Sequence, residues 1–176
     1  MDIIVTPLVT IVTGGIVAYF VGPYLAMAMA NLGEFIRVST ELQPFLMGVA
    51  VSVLMGIILT LPISSAALSI ILSLSGLAAG AATVGCSAQM IGFAVISFKA
   101  NGWNGLLAQG LGTSMLQVPN IMRKPIIWLP PIVASAILGP LATLVFKMQN
   151  NPAGGGMGTS GLVGQLMTWQ TMSGQM

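Results

Sequence analysis

The chain of 176 residues contains no histidine. That absence removes the commonest general base and metal ligand, and with them most hydrolase and oxidoreductase chemistry. Neither a metal nor a cofactor is expected. Charge is scarce too, at 5% of residues. A soluble domain carries about 25%, and a chain with so little cannot wet its own surface. The acids are Asp2, Glu34 and Glu41, and the cations are Arg37, Lys99, Arg123, Lys124 and Lys147. A net charge of +2 is too small to point to a nucleic-acid partner. One cysteine, Cys86, excludes an internal disulfide, and its apolar surroundings give it a packing role. Asp2 stands where a signal peptide would place cations, so no signal peptide is expected.

What fills the chain is apolar residue, 56% of the total. No charge occurs from Leu42 to Phe98. One crossing takes roughly 20 residues, so this interval holds two. The expectation is an all-α integral membrane protein with about four to six transmembrane helices, broken helices and re-entrant hairpins. It forms a single transmembrane domain over residues 1–176, in contact with the lipid bilayer.

The first apolar segment runs from about Ile3 to Ala30, and Gly22-Pro23 is expected to bend or break it. NLGEFIRVSTELQ, residues 31–43, mixes apolar and charged positions and predicts a short interfacial amphipathic helix. The second segment, about Pro44 to Leu61, places Gly48, Ser52, Gly56 and Thr60 four residues apart, with Ser64 next in the row. That spacing puts small residues on one helical face, which lets a second backbone approach closely in lipid. Pro62 interrupts the pattern. Third and fourth segments are expected at about 66–83 and 86–98, followed by a turn-rich KANGWNG loop at 99–105. Leu106 to Arg123 is too polar for a lipid-facing span. It predicts a re-entrant segment or a helix facing a polar cavity. If it does not cross, Lys99, Arg123 and Lys124 share one side, which the positive-inside rule makes cytoplasmic. A fifth segment covers about 125–146, and another begins at Leu162.

NPAGGGMGTSGLVGQ, residues 151–165, first reads as a phosphate cradle. Gly156-x-Gly158-x-x-Gly161 matches a dinucleotide fingerprint, but no strand precedes it and no acid follows. Read as a phosphate loop, it has Leu162 and Val163 where Lys and Ser/Thr belong. Glycine also lets backbone approach a ligand closely, and irregular backbone at membrane depth lines a cavity or is buried in protein. Residues 147–165 are therefore read as a glycine-rich re-entrant loop with N–H groups facing a substrate, against the alternative of a flexible linker.

A neutral polyol calls for groups that both donate and accept, which amides do. The candidate substrate-binding residues are Gln89, Gln117, Asn120, Asn151 and Gln165, with Ser64 and Ser65 beside Pro62 and Gly155, Gly156, Thr159 and Ser160 in the glycine loop. Glu41 joins them as a carboxylate next to an apolar segment. Its structural alternatives are an interface cap before Pro44, the stronger of the readings, and a partner of Arg37 one turn away. Each amide has an interhelical hydrogen bond as its structural alternative. Trp103, Trp128 and Trp169 either stack on a sugar or mark the membrane interface. No residue set supports catalysis.

With PISSAAL at 62–68, GCSAQMIGF at 85–93, GTSMLQVPNIMRKP at 112–125 and the glycine loop, the chain resembles the second EIIC family of the bacterial phosphotransferase system. That family includes PfoR-like proteins, similar to the perfringolysin regulator. The motifs resemble the C-terminal half of longer members. The resemblance implies a multi-pass protein of the bacterial inner (cytoplasmic) membrane that binds and translocates a sugar. It implies EIIA- and EIIB-type cytoplasmic partners that carry the phosphoryl group, and a homodimer. The resemblance also leaves two other readings: a ligand-binding membrane regulator that does not transport, and a half-protein that needs a partner chain.

Overall fold

The computed structural model describes residues 2–40 and 43–174. Glu41 lies outside them, and the side chain of Arg37 is likewise not described. The chain divides into two units, Met1–Phe35 and Ile36–Met176. The first is formed by helix α1 (Asp2–Thr40), whose Val9–Ala28 stretch is long and apolar enough to cross a membrane. Helix α1 continues through Gly22-Pro23, where the sequence predicts a bend or break. Residues 31–40, read as the start of an interfacial helix, prolong the same α1.

In the second unit, α2 (Pro44–Thr60) starts on a proline at its first position, where a missing N–H costs no hydrogen bond. It ends where Leu61 turns to extended backbone ahead of Pro62. Ser64 then caps the short α3 (Ser65–Ile71), its hydroxyl accepting the Ala67 N–H at 3.2 Å. Helix α4 (Gly76–Leu107) corrects two expectations. No boundary separates a third from a fourth segment near Gly85, because this glycine sits inside the helix against the backbone of α2. KANGWNG is helical and not a loop, interrupted only at Gly102, whose φ of 58° is open to glycine at no steric cost.

Beyond Leu107 the helix breaks up. A π turn (Ala108–Gly112), a 3₁₀ turn (Ser114–Gln117), α5 (Val118–Arg123) and a second 3₁₀ turn (Pro125–Trp128) lead into α6 (Leu129–Pro140). Another π turn (Leu141–Val145) closes α6. The glycine-rich stretch forms α7 (Pro152–Gly155) and a 3₁₀ turn (Ser160–Leu162), and α8 (Val163–Ser173) follows. By length and composition, Gly76–Gly112 and Pro125–Val145 are also able to cross a membrane, and Pro44–Thr60 is a shorter apolar helix. This is an all-α membrane protein, with one isolated bridge, Gly76 to Asn150, among the described residues.

The core lies where α2, α4 and α6 meet, around Met55, Ile58, Met90 and Phe93. The small-residue row of α2 faces both partners. A Cβ on Gly48 would stand 3.0 Å from the backbone of Pro140, and one on Gly56 would stand 2.8 Å from the carbonyl of Gly85. Ser52 donates to the Ser135 carbonyl at 2.8 Å, and Thr60 pairs with Ser114 at 3.1 Å. Backbone contact and interhelical hydrogen bonds hold helices together where apolar side chains gain nothing by leaving lipid.

Candidate functional site

The polar segment after α4 converges on a chain of amides. Asn120 donates through Nδ2 to Gln117 Oε1 at 2.9 Å. Gln117 donates through Nε2 to Gln109 Oε1 at 3.0 Å. Gln109 in turn donates to Ser97 Oγ at 2.8 Å, and Ser97 to the Ala94 carbonyl at 3.3 Å. Gln109 and Gln117 are buried, Ser97 is half-buried and Asn120 is exposed. Every bond runs in the same donor-to-acceptor sense, so each polarises the next. The broken helix makes this possible: the π turn presents Gln109 to α4, and the 3₁₀ turn brings Gln117 back over it.

The exposed end of the chain opens into a cavity of about 320 Å³. Ser97, Asn101, Gln117 and Asn120 line it together with Arg123, Lys124, Ile96, Ala100 and Ile127. Among the described residues, no acidic side chain borders it. Two cations and three amides thus face one small space, at a size near the lower end for ligand pockets.

The glycine loop has a different character. The N–H groups of Gly154, Gly155, Met157, Ser160 and Leu162 are all donated within the loop. These five amides are taken up within the loop, whereas the sequence reading expected free N–H groups facing a substrate. The glycines serve packing. A Cβ on Gly156 would collide with the backbone of Ser65, and one on Gly158, at φ 54°, would stand 2.8 Å from the backbone of Cys86. Asn150 holds the loop from beneath. It is fully buried, donates to Thr83 Oγ1 at 2.7 Å and to the Gly164 carbonyl at 3.1 Å, and accepts the Asn151 N–H at 2.8 Å. Thr159 reaches from the loop to the Gly110 carbonyl at 2.5 Å. It thereby satisfies a carbonyl of the π turn, next to Gln109 at the inner end of the amide chain.

Compared with known families, residues 1–176 match the family described as phosphotransferase system, EIIC. The chain belongs to the phosphotransferase system EIIC family. No curated protein and no solved structure matches it.

In this EIIC-family chain the sequence-predicted residues do not form one cluster. Gln117 and Asn120 share the amide-lined cavity. Asn151, Gly155, Gly156, Thr159 and Ser160 belong to the packed loop, and Ser65, at the start of α3, packs against it. There Ser65 donates to the Gly156 carbonyl at 2.7 Å, and Asn151 Oδ1 accepts the Gly154 N–H at 2.9 Å. Gln165 is exposed, donates to Ser87 at 3.3 Å and lines a separate, mostly apolar cavity of about 550 Å³ with Trp169 and Met172. Gln89 is buried in α4 and accepts from Trp128 Nε1 at 3.2 Å, while its Nε2 has no partner. Ser64 is an exposed helix cap, and Glu41 falls outside the described residues. Trp103 is exposed and meets Phe98 edge to face.

Sequence reasoning missed Gln109, Asn101, Ser97 and Asn150. Gln109 stands eight residues before Gln117 in the same polar segment, so the excess of amides there was the available signal. Asn101 was read as part of a turn and Ser97 as part of an apolar span.

Proposed function

We propose that this chain is the membrane subunit that binds and translocates a sugar or related polyol in a phosphotransferase system, and that the ligand enters the cavity lined by Gln117, Asn120 and Asn101. The observation that carries the reading is the amide chain from Asn120 to Ser97, which ends in an open pocket within a broken helix. Each amide offers a donor and an acceptor, the combination a sugar hydroxyl matches. Broken segments at membrane depth are where transporters build their sites. Thr159 of the glycine loop holds the Gly110 carbonyl, next to Gln109 of the amide chain, so the loop's part is to brace the chain that reaches the pocket.

The pocket also bears on orientation. Ser97 and Asn101 border one small cavity with Gln117 and Lys124, which supports reading the segment between them as one that leaves and returns on one side. Arg123 and Lys124 line that cavity; with Lys99 on the same side, the positive-inside rule supports reading that side as cytoplasmic. An EIIB-type phosphoryl carrier would meet the ligand on this face, and EIIA would act behind it. This chain supplies no carrier of its own in the reading: Cys86 is buried, its thiol turned to the Met55 carbonyl at 3.4 Å. The protein acts as a homodimer in a bacterial inner membrane.

The test is uptake of a panel of labelled hexoses and hexitols into proteoliposomes that hold the chain and its soluble partner subunits. At least one sugar is taken up. Because Asn120 is exposed, Asn120→Ala leaves the fold intact and raises the KM for that sugar about tenfold, the effect of losing one or two hydrogen bonds at a polar site. Uptake of no sugar, or uptake indifferent to Asn120→Ala, contradicts the proposal.

A further inference from the structure

The amides account for only one wall of the cavity. Its other wall carries Arg123 and Lys124, adjacent in sequence, exposed and facing the same space as Asn101 and Asn120. A neutral polyol has no need of two cations. A lipid-facing cation pair has no need of a cavity lined with amides. Among the described residues, no carboxylate borders the cavity to neutralise the pair. Arg offers a planar fork that engages two phosphate oxygens at once, and Lys adds a mobile point charge. The side-chain N–H₂ groups of Asn101 and Asn120 supply neutral donors beside them.

We infer that the Arg123–Lys124 end of the cavity is a phosphate-binding subsite, which takes the phosphate group of a phosphorylated ligand. The inference rests on the proposed ligand pocket and adds to it: the same pocket holds a polyol against the amides and a phosphate against the cations. Two sources supply that chemistry. One is a small soluble phosphate ester, the form a sugar takes after phosphoryl transfer. The other is the headgroup of an anionic lipid reaching in from the membrane surface.

The experiment uses the full chain in nanodiscs of phosphatidylcholine, titrated with inorganic phosphate and with glucose 6-phosphate by calorimetry. Both bind. The double variant Arg123→Gln/Lys124→Gln weakens each by about tenfold or more, as expected for loss of charge-assisted hydrogen bonds. Both side chains are exposed, so the variant folds; an unchanged melting temperature verifies this. Lys147→Asn is the charge control. Lys147 lies outside the cavity at φ 45°, a conformation asparagine tolerates, and its loss leaves phosphate affinity unchanged.

A second arm uses discs that also contain phosphatidylglycerol. If the lipid is the occupant, the added phosphates no longer bind, and native mass spectrometry finds a phosphatidylglycerol on the wild type that the double variant lacks. If the soluble ester is the occupant, binding persists in these discs. Either result supports the subsite. It is overturned if the wild type retains neither phosphate nor lipid, or if the double variant retains them equally well. Sugar uptake is read separately. Uptake with no phosphate binding removes the subsite alone, and phosphate binding with no uptake of any sugar removes the transport reading alone.

Discussion

Gly85 carries no side chain because the Ser52 carbonyl of the neighbouring helix stands where its Cβ would be. Backbone on both sides leaves little room to yield. Gly85→Ala therefore destabilises the protein by about 1–3 kcal/mol, the usual cost of overpacking, read as a lowered midpoint of thermal unfolding in detergent. Gly112 has nothing within 4 Å of its Cβ position, and Gly112→Ala stays within about 0.5 kcal/mol of wild type. Cys86 gives a second residue-scale prediction. Buried and turned toward the Met55 carbonyl, it resists maleimide in the folded protein and reacts only after denaturation; rapid labelling of the native protein would contradict the packing described. The packing role of Cys86 was legible from its apolar neighbours. The role of Gly85 was not. A lone glycine in an apolar run reads as a helix boundary until the partner backbone that occupies its empty side is known.

At the scale of elements, the α2 stripe was the clearest sequence signal. Gly48, Ser52, Gly56 and Thr60 each meet α4, α6 or the segment between them, as their four-residue spacing predicts. Spacing on one helix identifies a contact face, though not its partners. The glycine loop shows the reverse case. Its composition pointed to a re-entrant loop presenting backbone to a ligand, whereas α7 and the following turn pack against α3 and α4. Composition did not reveal where the loop's N–H groups point, because turns within the loop take them up. Asn150 was passed over in favour of Asn151, since nothing local distinguishes the buried amide from the helix cap beside it. Three hydrogen bonds converge on Asn150. Asn150→Leu loses all three and costs about 1.5–4 kcal/mol at the net value of such bonds. Limited proteolysis then cuts between residues 152 and 164 faster than in wild type. A loop as protected as before would mean that it does not depend on this side chain.

At the scale of the whole molecule, charge scarcity and long apolar runs were enough to specify an all-α membrane protein, and three described helices are long and apolar enough to cross. The division of the middle of the chain was harder to read. A 32-residue α4 looks like two short spans when small residues interrupt its hydropathy. The polar segment 106–123 stood out in the sequence by its glutamines, asparagine, glycines and proline. Its amide chain depends on the π turn that aims Gln109, and such a turn leaves no mark in composition. In the proposed function, the cavity beside this segment holds the transported sugar on the cytoplasmic side. The most direct test is alkylation of Asn101→Cys by a membrane-impermeant maleimide in inside-out vesicles, with Cys86 buried and silent. Labelling is expected in this orientation and not in right-side-out vesicles, slowed about fivefold or more when a transported hexose or hexitol occupies most of the sites. Labelling at the same rate with and without every sugar the protein transports would contradict it.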